Sequence, residues 1–197
     1  MPQLAPHLHQ RGREVQRYGT VIRMPLGLDQ EACEASVRSL NQLLADTITM
    51  RDLYKQHHWQ VGGPTFYALH LLFDKHYEEQ AKLVDEIAER VQLLGGVSLA
   101  MAADVAAESS LEKPPRGRES VPVQLSRLLD AHEQLLIEAR KAASEASDHH
   151  DDGTNDLLVS QVIRTNEFHV WFLSQHLVDI PLVDETESLQ QPEVAMR

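Results

Sequence analysis

The stretch LHLLFDKHYEEQAKLVDEIAER, residues 69–90, decides the fold, because it carries an apolar stripe and a charged face at helical spacing. Leu69, Leu72, Leu83 and Ile87, continued by Val91 and Leu94, form a stripe that can serve the chain's own core. His70 with Asp74, and Asp85 with Glu89, are two pairs of metal-ligand types at i,i+4 spacing. At about 100° per residue all four share another face. Along one helix His70 and Asp85 stand roughly 22 Å apart, too far to hold one cation together. The two pairs are nevertheless symmetric about one point, because His70 with Glu89 and Asp74 with Asp85 are both centred between residues 79 and 80. Two copies of this helix crossing antiparallel about a two-fold axis there would set His70 and Asp74 of one chain against Glu89 and Asp85 of the other. Such an isologous contact completes two identical sites per dimer. Ala81 lies near the crossing and permits close approach. The alternative is a solvated face, with Lys82 and Arg90 completing i,i+4 networks.

The rest of the chain is also helical in pattern, with no convincing strand alternation. A first long helix begins at Asp29, which can cap it, and runs through Val37, Leu40, Leu44, Ile48 and Leu53 towards His57. GGP at 62–64 breaks it, and Pro64 suits the first turn of a second helix that ends at Gly95 and Gly96. Alanine-rich VSLAMAADVAA, from residue 97, predicts a short connecting helix, and KPPRGR, 113–118, interrupts again. A third long helix spans about Ser120 to Ser147, and a fourth about Asp156 to Val178 after DHHDDGTND. The expected fold is therefore all-α: a four-helix bundle over 29–179 with a short helix between the second and third long helices.

Composition bounds the function. The chain has 197 residues, 42% of them hydrophobic, a single cysteine and a net charge of −12. One domain in a reducing cytoplasm is expected, with no signal peptide and no membrane span. The acidic body disfavours nucleic-acid binding and suits a protein that concentrates cations. Charge is unevenly placed. Residues 1–27 carry Arg11, Arg13, Arg17 and Arg23 against Glu14, a balance of +3 that leaves −15 to the remainder. Residues 1–28 therefore read as a flexible basic tail, and 180–197, with two prolines and little periodicity, as an extended acidic one.

The segment YKQHHWQVGGPTFYALHLLFDKHY, residues 54–77, together with VDEIAERVQLLGG, 84–96, resembles the ferritin-like family called DNA-binding protein from starved cells, or Dps. The resemblance covers roughly residues 29–179. It rests on a His-Trp, a Gly-rich break, a Leu-His, an aspartate four residues on, and D-x-x-A-E-R followed by L-G-G. It implies intersubunit ferroxidase ligands at His58, His70 and Asp74 from one chain and Asp85 and Glu89 from its partner. It also implies a hollow twelve-subunit shell, with hydrogen peroxide the favoured oxidant over oxygen. Iron is then the metal handled, zinc a competing occupant of the same donors. Ordinary ferritins build an intrachain site with Glu-x-x-His, and none of the eleven histidines has a glutamate three positions before it.

Other residues carry two readings each. Trp59 is either an interceptor of stray oxidising equivalents or an apolar anchor at a helix end. His57 is an exposed helix-end histidine or an outer-shell group. His76 falls within the own-core stripe and His169 within the apolar FHVWFL, so both read as satisfied core histidines; should they meet, they add imidazoles near the site and raise its affinity for zinc. Asp156, and after it Asp152, are candidates for an acidic inlet pore at a threefold axis, against a solvated, helix-capping loop. The competing function is a DNA-protecting nucleoid protein whose contacts come from Arg11, Arg13, Arg17 and Arg23; the body itself offers DNA weak binding at best.

Overall fold

The computed structural model describes residues 8–178 of the chain. Every regular element in that range is helical: α1 (Gln30–Gln60), α2 (Phe66–Leu93), α3 (Ala102–Glu108), α4 (Val121–Asp148) and α5 (Asp152–Leu157). The last of these continues through a π-helical segment, Leu158–Ile163, into α6 (Arg164–Gln175). The α5–α6 rod is the fourth long helix of the bundle, and α3 is the expected short connector. α1 packs most extensively against α2 and also against α4, while α4 packs against α6.

The predicted stripes are the core. Val37, Leu40, Leu44, Ile48 and Leu53 of α1 are buried, as are Leu69, Leu83, Ile87 and Val91 of α2 with Leu94 at its end. Leu72 is half-buried and packs on them. Full burial of one such side chain contributes roughly 1.5–3 kcal/mol, so these faces determine which way each helix turns.

Helix ends differ from expectation where side chains intervene. α2 starts at Phe66, two residues beyond Pro64, because Gly63 adopts a left-handed φ of 98° and its carbonyl accepts from Phe66 N at 3.0 Å, closing a turn. The connector starts at Ala102 because Asn41 holds 97–99 extended, donating to the Val97 carbonyl and accepting from Leu99 N, both at 3.1 Å. The fourth long helix begins at Asp152, four residues before Asp156, because buried Asp151 caps it by accepting from Thr154 N at 3.1 Å. The same carboxylate accepts from Ser36 and Arg90, tying α1, α2 and α5 together.

At Gly95 the chain turns with φ 84°, and a side chain there would collide with the Ile22 carbonyl. Ile22 N and Gln16 Nε2 both donate to the Gly95 carbonyl at 2.9 Å. Part of the basic segment thus lies on the bundle, while Arg11, Arg13, Arg17 and Arg23 remain exposed. The acidic tail, 180–197, lies outside the described residues.

Candidate metal centre

The last turn of α1 and the first turns of α2 bring three of the expected ligands together. The His58 and His70 rings stack at 3.8 Å with 20° between their planes. His58 Nδ1 donates to the His70 carbonyl at 2.8 Å, and His70 Nδ1 to the His58 carbonyl at 2.9 Å. Carbonyl oxygens only accept, so both protons reside on Nδ1 and both Nε2 atoms keep their lone pairs free for a cation. Asp74 lies beside them, 3.8 Å from His58 Nδ1, although the ligand atoms of the three do not converge on one point within the chain. Lys55 Nζ donates to Asp74 at 2.5 Å, and this bond chiefly holds the carboxyl below its usual range. Lys55 was not singled out from the sequence, although it lies one turn before His58.

Asp85 and Glu89 are exposed, four turns further along the same face of α2, and do not reach His70 within the chain. The face beside His70 and Asp74 is apolar in part: Tyr67 is 72% and Leu71 50% exposed, and both fall within about 60° of Asp74 around the helix. One chain therefore presents two incomplete donor sets on one uncovered face.

Neighbouring residues correct two expectations. His57 is not exposed: it is 1% accessible, both ring nitrogens lack partners, and burial pushes its pKa down to about 4. α1 continues three residues past it, so it lies inside the helix, one turn after Leu53 and Tyr54 on the core side. Trp59 is 70% exposed and anchors nothing within its own chain. Asp152 and Asp156 are both exposed, with Asp156 accepting from Ser160 Oγ at 2.7 Å. The capping part of that loop is played by Asp151.

His76 and His169 do meet, stacked at 3.7 Å and 13°, but inside the bundle and on the side of α2 away from Asp74. They are not near the outward donors. Three groups that the sequence did not point to surround them. Tyr54 Oη lies 2.5 Å from His132 Nε2 and 3.2 Å from His76 Nδ1, and His169 Nε2 donates to Glu79 at 2.8 Å. His76-x-x-Glu79 is the reverse of the Glu-x-x-His order, which is why a search for that order passes over it.

Comparison with known proteins follows the same lines. The profile of the ferritin-like domain family matches residues 37–183. The structure is similar to that of DpsC from Streptomyces coelicolor, with a TM-score of 0.86 and 51% identity, over 87% of this chain and 100% of that one. It is similar also to a Dps protein from Vibrio cholerae O1, described as a member of a broad superfamily of ferritin-like diiron-carboxylate proteins. There the TM-score is 0.74 and the identity 26%, over 79% and 96% of the two chains. In sequence it is 31% identical to DNA protection during starvation protein 2 of Bacillus anthracis, over 72% of this chain and 95% of that protein.

Proposed function

Because this chain belongs to the Dps mini-ferritins of the ferritin-like family, we propose that it is a ferroxidase that oxidises ferrous iron at sites shared between two chains. Ferric product is stored inside a hollow dodecamer in the cytoplasm, protecting the cell from oxidative damage. The observation that carries the reading is the pairing of His58, His70 and Asp74, with two free Nε2 lone pairs, and the exposed Asp85 and Glu89 spaced symmetrically about residues 79 and 80.

Each group has a part. The two imidazoles and three carboxylates bind two ferrous ions as substrate, and the carboxylates offset the charge that grows as each iron becomes ferric. Lys55 orients Asp74 through its hydrogen bond and keeps it ionised. Two ferrous ions each give one electron to hydrogen peroxide, which takes two protons and leaves as two waters, so no hydroxyl radical is released. Oxygen is the alternative oxidant. Zinc suits the same donors and would compete with iron.

The test is Asp85→Asn with Glu89→Gln, which should lower rapid ferrous oxidation by on the order of 100-fold while leaving assembly unchanged. Full activity in the assembled variant would overturn the assignment. The DNA-protecting reading is favoured by the exposure of Arg11, Arg13, Arg17 and Arg23 and by the DNA-protection name of the Bacillus anthracis relative. It is secondary, because the body they must overcome is acidic.

A further inference from the structure

The bundle interior holds a second set of donors that the shared site does not use. His76, His132 and His169 come from α2, α4 and α6, are fully buried and pack around the Tyr54 ring. Their polar atoms are only partly matched. His76 Nε2, His132 Nδ1 and Gln80 Oε1 are buried without any hydrogen-bond partner. A buried polar atom without a partner is destabilising, and native interiors seldom gather several in one place.

The hydrogen bonds that do exist assign the protons. Gln80 Nε2 donates to His169 Nδ1 at 3.3 Å, so His169 carries its proton on Nε2 and gives it to Glu79. Tyr54 lies between two rings, with the shorter contact to His132. With the Tyr54 hydroxyl donating to His132 Nε2, its oxygen accepts from His76 Nδ1, and the His76 Nε2 lone pair is left free. His76, Glu79 and His169 each offer a ligand atom, all within 4.8 Å of one another.

We propose that these three residues form a divalent-cation site inside the bundle, distinct from the shared site, and that its preferred occupant is zinc. Two imidazoles and one carboxylate are a common zinc set, with the fourth position open to water. The cation takes the place of the proton between His169 and Glu79, and that proton leaves to solvent on binding. Tyr54 fixes the His76 ring from behind and Gln80 fixes His169. The π-helical segment directly before α6 changes the phase of the helix ahead of His169, and Asn166 binds back to its Val162 carbonyl at 2.7 Å. Glu79, with its side chain 37% exposed, is the ligand that reaches solvent and marks the route inward. Occupancy would link α2 to α6 across the core.

The inference stands apart from the shared site and is tested with that site disabled. Assembled His70→Gln, Asp74→Asn, Asp85→Asn, Glu89→Gln protein, stripped with chelator and titrated with zinc, should bind one ion per chain tightly. Cobalt in its place should give the intense visible bands of tetrahedral coordination. Adding Glu79→Gln should weaken zinc binding by at least about tenfold, and adding His169→Gln should abolish the bands. If the histidine variant does not assemble, Glu79→Gln still decides the matter, because its side chain borders solvent. Absence of stoichiometric zinc binding, or binding unchanged by Glu79→Gln, overturns the proposal. Failure of the shared-site reading would register separately, as iron-oxidation kinetics of the protein with Asp85 and Glu89 intact.

Discussion

If the ferroxidase site takes His70 and Asp74 from one chain and Asp85 and Glu89 from another, two inactive variants should repair each other by a fraction that symmetry sets. Consider subunits with His70→Gln and Asp74→Asn mixed with subunits carrying Asp85→Asn and Glu89→Gln. Each kind alone has a lesion in every site. In a mixed pair, one site draws an intact His70 and Asp74 from the second kind and an intact Asp85 and Glu89 from the first, while the other site collects both lesions. Random assembly from equal amounts makes about half of the pairs mixed, so about a quarter of all sites are intact. Against parents near 1% of the unaltered rate, recovery to about 25% is a large signal. Varying the ratio should trace a parabola, falling to about 19% at three to one. The assay is stopped-flow ferrous oxidation on protein unfolded and reassembled together, with mixing verified by mass spectrometry of differently tagged chains. Verified mixed assemblies no faster than the average of their parents would refute the shared site, since an intrachain site cannot be complemented in this way.

Other expectations concern the buried cap, the inlet and the tail. Asp151→Ala removes the carboxylate that accepts from Ser36, Thr154 and Arg90 and strands the guanidinium; it should cost about 3–5 kcal/mol, or roughly 6–20 °C in Tm at equal protein concentration, and a loss under 1 kcal/mol would contradict it. Burial raises the Asp151 pKa, but its hydrogen bonds and Arg90 more than offset this, and the net shift is downward. Its stabilisation is therefore fully present above the ordinary aspartate range and is lost below it, as pH falls through the lowered folded-state pKa, an acid sensitivity that Asp151→Ala should lack. Asp156→Asn should slow iron uptake at low ferrous concentration and blunt its dependence on ionic strength; kinetics identical across salt concentrations would remove Asp156 from the inlet. DNA binding should be weak, salt-sensitive and lost when residues 1–27 are removed, because the remaining chain carries −15 and only the exposed arginines oppose it; tight binding by the truncated shell in a gel-shift titration at physiological salt would refute this.

Legibility divided along a physical line. Apolar stripes were readable because burial of a helix face depends on residues three and four apart, and Leu69, Leu83, Ile87 and Val91 are buried accordingly. Helix ends were less so. Asp29 and Ser120 stand at the N-cap positions of their helices, though neither side chain makes a capping hydrogen bond, and the start of α5 is displaced because Asp151 binds Ser36 and Arg90, residues far away in the chain. His57 and His58 show the limit most plainly. Adjacent residues point about 100° apart on a helix, so both cannot share one environment, yet reading His57 as the exposed one required α1 to end beside it. The helix runs on to Gln60, which puts His57 on the Leu53 and Tyr54 side and leaves His58 facing the outward site.

The two proposed metal sites differ in the same way, and the difference explains why one is legible in the sequence and the other is not. In the shared site proposed above the outward donors would meet a copy of their own helix, so the partner's positions are already written in the spacing of His70, Asp74, Asp85 and Glu89 about a common centre. A symmetric interface makes one helix a description of both sides. The inward cluster has no such redundancy. His76 and Glu79 lie together on α2, but Tyr54, His132 and His169 arrive from three other helices, and no spacing rule connects them. Whether His169 faces inward depends further on the phase of α6, which follows a π-helical segment that breaks the 3.6-residue count over Leu158–Ile163. A position on a helix states which face a polar side chain occupies, not what stands opposite. Only packing supplies the opposite side, and here it sets three imidazoles and a carboxylate around a small number of unmatched atoms.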